Sequence, residues 1–219
     1  MAIRSTGAQP YVFVDDVGTL PVTALELAYW LKMTDEDMIV ASTDILRSII
    51  AGCTYEAEAL VKRLFFEKRF ITYRDVFGDY GDSPDYGYYP AYALPNNSGT
   101  LNQPIVIRRS PLQTVEEISY VDTDGATIVM DEADYYIVQK DAYSMIFPTT
   151  SWPQIKPIQQ GIKITFTAGY TTLPPNLKIA LLDHCANAFM NRGDCGCECK
   201  KAPSSVQGAY AAMRIVDIV

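Results

Sequence analysis

Cys195, Cys197 and Cys199 form a C-x-C-x-C run, with the sole histidine, His184, and Cys185 shortly upstream. Three thiols and an imidazole supply enough soft ligands for a zinc ion. A single residue between successive cysteines, however, lacks the two-residue gap that lets paired thiolates wrap one zinc, and a second spaced pair is missing. The run is expected to stay reduced and metal-free, with Cys195, Cys197 and Cys199 as the weak metal candidates. His184 sits beside Asp183, but neighbours on a helix point about 100° apart, so this carboxylate cannot orient the ring as a catalytic partner does. A packed or surface histidine is expected. Asp75, Asp79, Asp82 and Asp85 lie among glycines, yet their spacing is not that of a calcium loop and no glutamate closes it. The chain contains no nucleophile elbow, H-E-x-x-H, P-loop or G-x-G-x-x-G pattern. No catalytic residue and no cofactor are therefore expected, and a zinc-dependent domain built on the thiol run stands as the alternative.

Charge narrows the classes further. Acidic residues outnumber basic ones 26 to 18, a net charge of -8, which disfavours a protein that grips nucleic acid by neutralising phosphates. Lys62-Arg63, Lys68-Arg69 and Arg108-Arg109 are short basic pairs, and Glu67 interrupts the first two. They are expected to be solvated faces. Met1 to Pro10 carries neither the basic nor the apolar stretch of a secretory signal, and no run of apolar residues is long enough for a membrane span. A reducing, non-membrane location follows as an expectation. Tyrosine is the unusual component, with 15 copies against 8 Phe and 2 Trp. Its ring buries area while its hydroxyl keeps a partner, so tyrosine is favoured at interfaces.

The elements that would position these residues follow from periodicity. Thr23 and Glu26 form a capping box before a short helix ending near Met33. Asp35, Glu36 and Asp37 form an acidic turn, and Thr43 or Asp44 caps a long helix running to about Phe66, with Ile45, Leu46, Ile49, Ile50, Cys53, Ala57, Leu60, Val61 and Leu64 at helical spacing. Residues 69–77 alternate as a strand. Residues 78–103, rich in Gly, Pro, Asp and Tyr, form a long surface loop. Strands are expected at 105–108, 115–121, 126–130, 135–139, 144–147 and 161–167, with a hairpin turn at 122–125, implying a mostly antiparallel sheet. A third helix starts at Pro174-Pro175 and runs to about Asn191, and a short one covers 206–213. The fold class is α+β: a helical body with an inserted β module at 69–170, within a single domain over 1–219, and an extended apolar tail at 210–219.

Three stretches in order resemble a known family: Leu20-Pro-Val-Thr-Ala-Leu-Glu-Leu-Ala28, then Pro111-Leu-Gln-Thr-Val-Glu-Glu-Ile-Ser-Tyr-Val-Asp-Thr-Asp-Gly125. The third joins Ser151-Trp-Pro153, Ile162-Lys-Ile-Thr-Phe-Thr-Ala-Gly-Tyr170, Leu173-Pro-Pro175, Leu177-Lys178 and Asn191-Arg192. The order resembles the tailed-phage head-tail connector proteins, the gp6-like adaptors and their gp8-type prophage relatives. The resemblance implies a non-enzymatic structural subunit of the virion neck, assembled in the host cytoplasm as a twelve-fold ring beneath the portal protein. Implied partners are the portal, neighbouring copies and a downstream tail or neck protein, with DNA passing through unbound; a tail-completion or stopper protein is the nearby alternative. The long tyrosine-rich loop and the cysteine-rich segment depart from the pattern. On composition, Tyr80, Tyr86, Tyr88, Tyr89 and Tyr92 are expected to contact partners. So are Tyr210, Arg214, Ile215, Val216, Ile218 and Val219 of the tail, whose apolar members lose burial energy if left in water.

Overall fold

The computed structural model describes residues 11–77, 103–192 and 202–215. Its architecture is the mixed α+β one expected, with four helices and antiparallel sheets. Among the described residues the chain divides into two compact units: 11–17 with Lys68–Ala168, and Gly18–Glu67 with 169–215.

The first unit is β. A five-stranded antiparallel sheet runs in the order β1 (Val12–Asp16), β2 (Lys68–Arg74), β8 (Ile162–Ala168), β4 (Leu112–Val121), β5 (Thr127–Val129). A second sheet orders β3 (Ile105–Ile107), β7 (Ser144–Pro148) and β6 (Tyr135–Gln139). Alternation along β8 explains its central place: Ile162, Ile164, Phe166 and Ala168 are fully buried while Lys163 and Thr165 are not. Phe166 stacks on its cross-strand partner Phe70 with centroids 5.7 Å apart. The β4–β5 turn is held by Asp122, whose carboxylate accepts the amides of Asp124 and Ala126 at 3.0 and 2.8 Å. Strand β1 was not anticipated. It is an edge strand, exposed along its length, and pairs with β2 through Val12↔Ile71 and Phe13↔Phe70. Arg69 on β2 then bridges Asp15 on β1 at 3.1 Å and Glu116 on β4 at 3.0 Å, and Thr167 on the intervening β8 donates to the same Glu116 carboxylate, so the network spans four strands.

The second unit is helical: α1 (Ala24–Trp30), α2 (Glu36–Val61), α3 (Pro175–Met190) and α4 (Ser204–Met213). The Thr23–Glu26 capping box is present in full. Helix α2 begins earlier than expected. Asp35 is its N-cap, accepting the Met38 amide at 3.1 Å, and Glu36 and Asp37 occupy the first turn, where negative charge opposes the helix dipole favourably. Thr43, expected to be a cap, instead donates its hydroxyl to the Ile39 carbonyl within the helix. The helix also ends earlier, at Lys62 in the left-handed conformation (φ 58°), after which the Glu58 carboxylate accepts the Phe65 amide at 2.8 Å. Leu46, Ile50, Ala57 and Val61 of α2 pack with Leu27, Leu177, Leu181, Val206 and Tyr210 in one continuous core. Pro175 takes the first turn of α3, where its missing N–H costs nothing. Before it, Gly169 has φ 125°, and a Cβ there would collide with the Phe66 carbonyl oxygen, so only glycine fits.

Candidate assembly site

The residues expected to meet partners fall into three groups. Tyr80, Tyr86, Tyr88, Tyr89 and Tyr92, the tail residues Val216, Ile218 and Val219, and the metal candidates Cys195, Cys197 and Cys199 lie outside the described residues, as do Asp79, Asp82 and Asp85. Arg214 is exposed, on the coil that follows α4. Tyr210 and Ile215 are corrected by the fold. Helix α4 runs to Met213, so the extended tail does not begin at 210, and Tyr210 is 2% exposed. Its ring meets Phe65 and His184 edge-on, with centroids 6.3 and 6.1 Å apart. Ile215 is buried as well, and its amide donates to the Val61 carbonyl at 3.0 Å. Both side chains are already spent on their own core. A hydrophobic count of the sequence could not distinguish them from an exposed apolar tail.

Around Tyr210 lies a buried polar cluster. His184 on α3 is 1% exposed; its Nδ1 is 3.4 Å from the Tyr210 hydroxyl, and its Nε2 is 3.6 Å from Glu56 on α2. The other Glu56 oxygen accepts the Ala202 amide at 3.2 Å, so this carboxylate joins α2, α3 and the entry to α4. Burial drives the Tyr210 phenol well above its ordinary pKa. Asp183, next to His184, turns away and accepts the Trp30 indole N–H at 3.0 Å, tying α3 to α1. Asp183 therefore does not orient the His184 ring, and Glu56, His184 and Tyr210 link α2, α3 and α4. Asp75 likewise serves structure, accepting the Gln160 amide at 2.7 Å. Among the described residues, no group of three His, Cys, Asp or Glu side chains could hold a metal ion, and no helix is long and apolar enough to cross a membrane.

The surface is more informative than the interior. On α2, the surface turned away from the core exposes Val40, Ala41, Ile45, Gly52, Tyr55 and Ala59, with Val40 at 74% and Tyr55 at 60%, interspersed with the exposed Asp37, Asp44, Arg47 and Ser48. A helix face meant for water is normally charged and polar. Gly52 has nothing within 4 Å of where its Cβ would stand, so the helical unit's own packing does not require a glycine. Helix α1 exposes Leu25, Tyr29 and Trp30, the first two one turn apart on a common face. In the β unit, the free edge of β1 exposes Val12, Phe13 and Val14. These surfaces were not singled out by sequence pattern.

No protein-family model matches the chain, and no curated protein matches it by sequence. Solved structures do match in fold. A chain of the neck of the empty GTA particle, computed with C6 symmetry, superposes with a TM-score of 0.70 at 17% identity, over 96% of this chain and 97% of that one. A chain of the virion of the native gene transfer agent particle and one of the neck of the native particle, computed with C12 symmetry, each give 0.57 at 19% identity over 94% and 96%. From end to end, the chain therefore has the fold of proteins found in the neck and virion of gene transfer agent particles.

Proposed function

We propose that this chain is a structural subunit of the head-tail neck of a tailed phage or phage-like particle, acting as the adaptor ring beneath the portal. The observation that carries the reading is the fold likeness to a neck chain over nearly the whole of both chains. The large apolar side chains that α2 exposes support it, since a second copy of the chain seated there would bury Val40, Ile45 and Tyr55. Gly52 would let the neighbour's backbone approach closely. The acidic balance suits a channel wall that repels DNA phosphates and so lets DNA pass without sticking. The portal would sit on one side of the ring and a tail or neck protein on the other. A tail-completion or stopper subunit one layer further down is the neighbouring reading.

Deleting the gene from its phage tests the proposal. Filled heads and separate tails that fail to join, restored by supplying the chain in trans, are the expected outcome. Fully tailed, infectious particles in its absence would overturn it. Cross-linking of the complemented particle to the portal separates the adaptor from the stopper, which would cross-link only to lower neck or tail proteins.

A further inference from the structure

The exposed surface of α2 carries a pattern that its own core does not explain. Ala41, Ile45, Ser48, Gly52, Tyr55 and Ala59 follow one another at alternating steps of four and three residues, and all are exposed. Met38 and Lys62, also exposed, extend the series by one step at each end. Steps of three and four keep a 3.5-residue period, which is the seam of a left-handed coiled coil. The residues that face the core, from Ile39 through Leu46, Ile50 and Ala57 to Val61, lie on the other side of the helix. Asp44 and Arg47, 3.9 Å apart, pair along one border of the seam, where an interface carries its polar rim.

We infer that this seam is the contact of an antiparallel homodimer, α2 against α2 of a second copy. Length selects the occupant first. The seam runs for about 36 Å and needs a partner helix to match. Helix α2 has 26 residues, whereas the other described α-helices have 7, 16 and 10. Side-chain size fits next: antiparallel pairing at full overlap sets Ala41 against Ala59 and Ser48 against Gly52, so small residues face small ones and the backbones approach closely. Ile45 then meets Tyr55, and both lose the water that each now contacts over more than half its surface. Charge sets the direction. Helix α2 opens with Asp35, Glu36 and Asp37 and closes at Lys62, all exposed. Antiparallel helices place each acidic end beside the partner's lysine and oppose the two dipoles, while parallel ones set acid against acid.

The consequence for assembly rests on the neck reading. A two-fold contact is closed and admits no third copy, whereas a ring needs two different faces on every copy. The dimer therefore covers the α2 surface proposed to meet a neighbour in the ring, and by mass action it opposes ring closure away from the portal.

Analytical ultracentrifugation of the full chain should show a monomer–dimer equilibrium within roughly 1–100 μM. Ile45→Lys, at an exposed site, should leave the circular dichroism spectrum unchanged and weaken dimerisation by roughly tenfold or more, since it buries an unpaired charge in the seam. Cross-linking reads the direction. On a background of Cys195→Ser, Cys197→Ser and Cys199→Ser, Ala41→Cys chains mixed with Ala59→Cys chains should form disulfide-linked heterodimers on mild oxidation. Neither variant alone should link, because the two copies of position 41 stand about 27 Å apart along the axis. A chain still monomeric at ~100 μM, a dimer indifferent to Ile45→Lys, or Ala41→Cys linked to itself would overturn the inference. If the serine background does not fold, ultracentrifugation of Ile45→Lys against the natural chain decides alone. No particle enters these measurements, so a monomeric result leaves the neck reading standing, and tailed particles in the deletion strain would leave the dimer standing.

Discussion

Replacing Tyr210 with alanine distinguishes a core residue from a docking residue most sharply. The side chain is among the largest that the fold buries completely, packed edge-on against Phe65 and His184. Removing it leaves a cavity bounded by α2, α3 and α4, and an aromatic-to-alanine change in a core costs about 3–5 kcal/mol. For a chain of this length each kcal/mol moves the melting temperature by about 2–4 °C, so Tyr210→Ala should lower it by roughly 6–20 °C. Tyr210→Phe keeps the ring and removes only the 3.4 Å contact with His184, a long and correspondingly weak hydrogen bond. Its cost should be about 1 kcal/mol or less. Thermal unfolding followed by circular dichroism on the purified chain reads both variants. If Tyr210→Ala melted within ~2 °C of the natural protein while losing only partner binding, the core placement of α4 would be wrong.

Other outcomes follow from the same geometry. Gly169→Ala should destabilise severely, because φ 125° and the Phe66 carbonyl leave no place for a methyl group; loss of soluble protein or a large drop in melting temperature is the readout. Gly52→Ala should instead stabilise the isolated chain by up to ~1 kcal/mol, since its Cβ enters open space in a helix interior. Gly52→Leu should leave melting little changed yet impair particle assembly if α2 meets a second copy. Acid should destabilise through Glu26 and Glu116. Hydrogen bonds from Lys178 and the Thr23 amide hold the Glu26 carboxyl below its ordinary 4.5, and Thr167 with Arg69 does the same for Glu116. A depressed native pKa stabilises above the unfolded value and is lost as pH falls through the native one, so stability should decline below about pH 4.5. Both carboxylates are partly exposed, so the effect is modest, and Glu26→Gln with Glu116→Gln should flatten that part of the pH–stability curve.

Much of the fold is legible in local chemistry. The Thr23–Glu26 box, the Pro174-Pro175 start of α3 and the alternation of β8 each specify an element with little help from tertiary contacts. The phase of helix α2 is legible but its start is not, because Asp35, Glu36 and Asp37 suit a turn and a helix N-terminus equally well; what decides is the apolar Ile39 landing on the core face. Strand β1 is short, ends in two aspartates and is exposed throughout, so no burial pattern marks it; its tie to the sheet is the Arg69 guanidinium donating to the Asp15 carboxylate. The candidate surfaces are less legible. Tyr210 and Ile215 have the same composition whether they dock outward or pack inward, and only the return of the chain to Val61 settles that they pack inward. The outward face of α2 is defined by which of its residues the other helices leave uncovered, and that information is tertiary.

The central claim is best tested by cryo-electron microscopy of intact particles made with the chain in place, reconstructed around the neck without imposed symmetry. The account predicts a ring of twelve copies of this fold directly beneath the portal, with α2 faces meeting between neighbours. Absence of the fold from the neck, or its presence only in the capsid shell or along the tail, would contradict it.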